Sequence, residues 1–291
     1  MSNFKYRKLK LYFSESGYLK SPYLIQRLEG SGTIVGVTAL EHTVFVIRER
    51  ASCVEVYSSA AFIKLPSIPV ENLCNPTQII ACYQNSCLYI SNERSSAYSM
   101  LYPSLILKVP FPQGNTVKWA VDDDPKGLCV TRNSNLLVTF SSSNIIKEFT
   151  PDGVLVNTIS TKNERPIQII QTAIGNYIVT TKLHIGYGYQ YNLCTMEIDG
   201  TLSSIPNLAD FTSVPTLAVD GSGHILLFDA NKRSILFSNS SPLKFANELN
   251  LSSFKPVAPM YLDDKMGRLY VAAGGGQLLV VKLKAKLDFI I

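Results

Sequence analysis

A short apolar strand returns six times along this chain, and that recurrence limits the possible folds more than any other feature. The copies are VFVIRE from Val44, CLYISN from Cys87, LLVTF from Leu136, YIVTT from Tyr177, HILLFD from His224 and LYVAA from Leu269. Their starts lie 43, 49, 41, 47 and 45 residues apart, close enough to define one unit and uneven enough to place insertions in loops. The segment from Pro125 to Ile159, PKGLCVTRNSNLLVTFSSSNIIKEFTPDGVLVNTI, serves as the ruler. It reads as four short β-branched or aromatic runs separated by an Asn-rich turn, a polar turn and a Pro-Asp-Gly turn, which is the pattern of an antiparallel meander. Third strands follow as VEVYSS, YSMLYP, IIKEFT, YNLCTMEI, SILFS and LLVVKL. Pro76, Pro125, Pro166, Pro215 and Pro259 open five of the copies, where a residue with fixed φ and no N–H enters a strand without breaking a ladder.

One such meander has two apolar faces and cannot cover both, so the copies must stack radially. The expectation is an all-β chain: a six-bladed β-propeller of four-stranded antiparallel blades, with residues 1–30 as an N-terminal segment and 31–291 as the ring. A sandwich would need no period. Two segments compete to close the ring, Pro22 to Leu28 as the outer strand of blade six and Leu287 to Ile291 as its alternative. The N-terminal segment is favoured because it bridges first and last blades and leaves no open edge.

The ruler pattern, Pro-x-Gly-hydrophobic-x-Val, then Asn-Leu-Leu-Val, then Ile-x-x-Phe-x-Pro-Asp-Gly, resembles an NHL repeat, and PTLAVDGSGHILLFDANKRSILFS from Pro215 resembles it nearly as well. Similar propellers end many tripartite-motif proteins, and the run IIACYQNSCLYIS looks like a branch of uncharacterised invertebrate NHL proteins. The resemblance implies a binding platform and permits RNA binding. Only Phe228-Asp229 and Asn231-Lys232-Arg233 approach the family's Ala-Asp and Asn-Arg positions, and no RING or B-box pattern of Cys and His ligands precedes the repeats.

Chemistry is sparse. His42, His184 and His224 fall at unrelated places in the repeat, and the first strands carry Gln78, Gln168 and Gln171 but no carboxylate cluster that would hold an axial metal. Asp122-Asp123-Asp124 lacks the Gly and terminal Glu of a calcium loop and reads as a solvated acidic turn. Gly274-Gly275-Gly276 precedes a strand rather than a helix, so it is a tight turn and not a phosphate cradle. The expectation is therefore no catalytic residue, no metal, no cofactor and no small-molecule substrate, with a metal-dependent hydrolase or lyase as the minor alternative. No run is long and apolar enough to cross a membrane. Lys5, Arg7, Lys8 and Lys10 interrupt the place of a signal-peptide core, which points to a cytoplasmic protein with reduced thiols. Cys82 and Cys87 flank YQNS between two strand-like runs, a placement that allows them to face each other across a hairpin at disulfide distance and leaves open whether they pair.

The surface charge is where function is expected. In the repeat register, loops between strands two and three and between blades emerge on one face. That face carries Arg48, Arg50, Arg94, Lys118, Lys126, Lys162, Arg165, Lys182, Lys232, Arg233 and Lys255 against seven acids, 11 − 7 = +4, while the opposite face sums to 3 − 6 = −3. Trp119, Tyr187 and Tyr189 are expected near the basic face as flat contact area. LHIGYGYQY is read as the longest second-to-third insertion, which makes blade four the choice for specificity. The candidate partner-binding residues are thus Arg48, Arg50, Arg94, Trp119, Lys126, Arg165, Lys182, Tyr187, Tyr189, Lys232 and Arg233. The partner expected first is a protein; single-stranded RNA on the basic face is the alternative.

Overall fold

The computed structural model describes residues 11–12, 23–94, 103–172, 175–185, 188–205, 211, 213–219, 225–240, 243–251, 256–263 and 265–283. Each repeat folds as the alternation of apolar runs and turn residues dictates, into an antiparallel sheet whose strands follow in sequence order from the axis outward. Blade 1 runs Ile34–Leu40, Thr43–Arg48, Cys53–Ser58 and Lys64–Pro69; blade 2 runs Pro76–Cys82, Cys87–Asn92, Ser104–Pro110 and Val117–Val121. Blade 3 comprises Pro125–Val130, Leu136–Phe140, Ile145–Phe149 and Leu155–Ser160, and blade 4 Arg165–Gln171, Tyr177–Ile185, Gly188–Met196 and Leu202–Ser204. Blade 5 holds Thr216–Val219, Ile225–Asp229, Ser234–Ser240 and Leu243–Asn250, with the two-residue strand Leu11–Tyr12 on its outer edge. Blade 6 takes Pro256–Asp263, Arg268–Ala273 and Gln277–Lys282 from one end of the chain and its fourth strand, Tyr23–Leu28, from the other. Successive first strands touch in ring order, and that of blade 6 meets that of blade 1.

The core is divided as a propeller requires. Six clusters of buried apolar side chains lie one at each junction between neighbouring blades. Blade 5 meets blade 6 through Phe228, Ile235, Leu269 and Val271. Blade 3 meets blade 4 through the smaller set of Leu137, Ile146, Ile169 and Val179 with their neighbours. A blade is therefore buried on both faces, which is why its central strands read as nearly continuous apolar runs: Cys87–Asn92 and Leu136–Phe140 are buried at every position.

Prolines mark the inner edge. Register shifts recur between Pro76 and Gln78, Pro125 and Leu128, Pro166 and Gln168, and Pro256 and Met260, so these first strands begin on a bulge where a missing N–H is tolerated. At the bulge in blade 3, a Cβ on Gly127 would stand 2.4 Å from the Ile167 carbonyl oxygen, so glycine allows the inner strands of blades 3 and 4 to approach.

Closure is made by the favoured segment: Tyr23–Leu28 pairs antiparallel with Gln277–Lys282, from Tyr23 opposite Lys282 to Leu28 opposite Leu278. Leu287 to Ile291 lies outside the described residues. One strand differs from the reading of the repeat. The third strand of blade 2 is Ser104–Pro110 rather than YSMLYP, of which Tyr98 to Tyr102 lie outside the described residues. Ser104–Pro110 wins because it pairs over six positions with Cys87–Asn92 while placing Ile106, Leu107 and Val109 in the core. The connection from Asn92 to Ser104 consequently spans more residues than that of blade 4, where the insertion is absorbed by extending both strands to Ile185 and Gly188.

Candidate functional site

Two concave regions meet the candidate residues. The first is the mouth of the axis, a cavity of ≈ 410 Å³ lined by inner-strand residues of all six blades, among them Thr33, Thr77, Gln78, Lys126, Gln168 and Thr216. Three of its polar side chains, Thr77, Gln78 and Gln168, are engaged between blades. The Gln78 carbonyl accepts from Leu128 N at 2.6 Å, and Gln168 both accepts from Leu217 N at 2.9 Å and donates to Leu217 O at 3.2 Å. Thr77 Oγ1 donates to Pro125 O at 2.8 Å, and Thr139 Oγ1 to Ile167 O at 2.6 Å. Gln171 accepts from Arg132 N at 2.8 Å, away from the axis. These groups hold neighbouring blades in register, and a side chain so committed is a poor general acid or base. Among the described residues, no group of three or more His, Cys, Asp or Glu is placed to hold a metal ion.

Several of the expected binding residues on the basic face lie in ion pairs. Arg48 is buried: Nε meets Glu55 Oε2 at 3.0 Å, and Nη1 donates to the carbonyls of Gly32 and Gly276 at 2.8 Å each. It ties the segment that follows the closing strand to blade 6, and Gly276, at φ +74, has no room for a Cβ beside the Gly30 and Gly32 carbonyls. Glu55 also accepts from Lys64 and Tyr57. Burial pushes its carboxyl up, but the Lys64, Arg48 and Tyr57 interactions outweigh this and hold it below the usual carboxylate range. Lys126 pairs with Glu93, Arg94 lies 3.9 Å from Asp124, and Lys232 lies 3.9 Å from Asp229. Arg50 stands out in solvent at φ +57, its guanidinium 3.8 Å from Glu49, and Arg233 is exposed at φ +54.

Trp119 is not on this face. It sits on the outer strand of blade 2, where it packs among Tyr89 and Phe149 at the junction with blade 3 and covers Gly153 in the Pro151-Asp152-Gly153 turn of the opposite face. The acidic turn is likewise tied into structure: Asp122 pairs with Lys147 at 2.7 Å, Asp123 accepts from Ser142, and Asp124 accepts from Ser104 Oγ at 2.6 Å. Cys82 and Cys87 are direct cross-strand partners as expected, and both are free thiols. The Cys87 thiol and the Asn85 amide, 3.3 Å away, donate toward the Cys82 sulfur and lower its pKa, while Cys87 is raised.

The second concave region is on blade 4. The blade 3 turn supplies Asn144, the crossover into blade 4 supplies Asn163, and the lengthened hairpin supplies Lys182, His184 and Tyr189; with Arg165 they line a cleft of ≈ 320 Å³. Arg165 and Lys182 are direct cross-strand partners. Lys182 Nζ lies 3.5 Å from the centre of the Tyr189 ring, and the His184 ring meets the same ring edge to face at 5.2 Å. Thus three of the expected residues, Arg165, Lys182 and Tyr189, are brought together, while Tyr187 lies outside the described residues. Asn144 and Asn163 were not foreseen, since an isolated amide in a polar loop carries no sequence signal of its own.

No protein-family model and no curated protein sequence matches the chain. Solved structures do. A streptogramin B lyase superposes with a TM-score of 0.61 at 13% identity, covering 95% of this chain and 98% of that one. Hydrazine synthase of Kuenenia stuttgartiensis gives 0.64 at 11%, covering 87% and 84%. A protein of unknown function from Bacteroides caccae gives 0.57 at 13%, covering 79% and 81%. At these identities the likeness is one of architecture, and activities differ across it. What this chain shares with all three is a propeller fold, here with six blades.

Proposed function

We propose that this chain is a non-enzymatic binding platform of the NHL type, which engages a protein partner through the face formed by its second-to-third loops and blade crossovers. One observation carries the reading: the only expected contact residues that converge among the described residues, Arg165, Lys182 and Tyr189, do so in an open cleft on that face. At the axis the side chains of Gln78 and Gln168 are spent on joining blades. The NHL assignment is supported by Asp229, whose Oδ1 accepts from Asn231 N at 2.9 Å and Lys232 N at 3.2 Å and so caps the following turn, in the blade whose sequence keeps the family's Asp and Asn positions. Rigid strands with loops at their ends suit recognition.

The test is affinity capture from native-cell extract with wild type and with Arg165→Ala/Lys182→Ala, each with and without nuclease. A protein retained by wild type in the presence of nuclease and lost by the double variant supports the platform. Retention that nuclease abolishes turns the reading toward nucleic acid. Stoichiometric metal retained by the purified protein after dialysis would reopen the hydrolase or lyase alternative.

A further inference from the structure

Resting on that reading, we propose that the blade 4 cleft takes the carboxylate of an acidic peptide segment between Arg165 and Lys182. The argument begins from the molecule's own repeats. In blades 1, 2 and 3 the residue just past the second strand donates its N–H to the carbonyl of the residue just before the first strand: Glu49 to Thr33, Glu93 to Asn75, Ser141 to Asp124. Lys182 opposite Arg165 occupies the same register in blade 4. Where blades 1 and 2 carry Glu49 and Glu93, blade 4 carries a cation, and its cross-strand neighbour is a second cation. Like charges directly opposite in an antiparallel pair destabilise it.

Among the described residues neither Arg165 nor Lys182 has a carboxylate partner. Glu164, beside Arg165 in sequence, turns to the other side, where it accepts from Thr181 Oγ1 and from Cys194 Sγ at 3.8 Å. The cleft is lined by the two cations, Asn163, His184 and Asn144, whose amide donates to the Lys162 carbonyl at 2.7 Å, and the adjacent pair of cations is the complement of a single anionic group.

The same geometry selects the partner class. A polynucleotide needs a continuous track of free cations, but Arg48 is buried in an ion pair and Lys126 and Arg94 lie against Glu93 and Asp124, which interrupts such a track across blades 1 to 3. Base stacking needs a bare aromatic face, and Lys182 already caps Tyr189. An acidic side chain fits both constraints. It would meet Arg165 and Lys182 end-on, with the Lys182 ammonium held forward by the Tyr189 ring and the Asn144 and Asn163 amides beside it.

The experiment is thermal unfolding of the full chain with hexaglutamate or hexauridylate, each against sodium chloride of equal ionic strength. Three proteins are compared: wild type, Arg165→Ala/Lys182→Ala, and Lys182→Glu, which restores to blade 4 the charge of blades 1 and 2. Hexaglutamate is expected to raise the wild-type midpoint saturably beyond the salt control. Both variants are expected to melt at or above wild type without ligand and to gain nothing from hexaglutamate. An absent wild-type shift, or an equal shift in the double variant, overturns the proposal. So does a larger hexauridylate shift that the same variants lose, which assigns the cleft to nucleic acid. If captured protein still depends on Arg165 and Lys182 while hexaglutamate has no effect, the acidic-peptide inference falls and the platform reading stands.

Discussion

Arg48 and Arg165 lie on the same face of the ring, one at the end of a second strand and the other at the start of a first strand, yet their surroundings are opposite. Arg48 has a carboxylate and two carbonyls within 3.0 Å and a side chain only 7% exposed. Arg165 faces Lys182 across the strand pair and opens onto a cleft. The first guanidinium closes the structure between blades 1 and 6; the second is left uncompensated. Net charge on a face therefore says little about where a partner binds. What matters is which charges the fold has already neutralised.

The comparison can be broken most forcefully at the closure that Arg48 supports. Deleting residues 1 to 29 removes the outer strand of blade 6 and exposes the edge of Gln277–Lys282, and is expected to lower the melting temperature on the order of 10 °C. An unchanged calorimetric transition would mean that the ring is held shut elsewhere.

The next effect separates the two arginines themselves. Arg48→Ala leaves Glu55 and two carbonyls short of a donor and is expected to cost about 3 kcal/mol in urea unfolding. Arg165→Ala is expected to stay within about 0.5 kcal/mol of wild type, with the sign toward stabilisation. Equal losses in the two variants would erase the distinction.

The reason the distinction was hidden in the sequence is one of distance. Arg48 reaches Gly32 at a separation of 16 residues and Gly276 at a separation of 228, and no local pattern announces a partner that far away. Repeat length, proline positions and the Asp-Gly turns were legible because φ, strand alternation and turn chemistry are set within a few residues. The third strand of blade 2 was not, because YSMLYP and SLILKVP are both short apolar runs and only pairing with Cys87–Asn92 chooses between them. Trp119 was misplaced for a related reason: its position on an outer strand was readable, but its packing against Phe149 of the next blade was not. Arg165 and Lys182 were legible as charges. Their juxtaposition came from the register of blade 4, where the position that holds Glu49 in blade 1 and Glu93 in blade 2 holds Lys182.

A smaller effect probes the neutralised side of the comparison by pH. The Glu55 carboxyl is held below its ordinary value in the folded state, so the stability it contributes is present above its unfolded pKa, roughly 4.3, and is lost as pH falls through the folded value. Glu55→Gln should therefore flatten the acid limb of a stability–pH profile by less than about 1 kcal/mol. A limb of unchanged slope would show that the Arg48–Glu55–Lys64 group does not titrate with unfolding.

The pairing of Tyr23 with Lys282 also has a consequence for how the ring is assembled. The four blade strands of every blade except the sixth come from contiguous chain and can form as they are made, whereas the sixth needs a strand separated from its mates by all the others. Loop-closure entropy makes such pairing late and slow. Until it happens, Tyr23–Leu28 waits as an unclaimed strand and Gln277–Lys282 as an unclaimed edge. Two half-finished molecules can satisfy each other's vacancies as well as their own, so crowding during synthesis favours strand-exchanged dimers, linked through the sixth blade and otherwise natively folded.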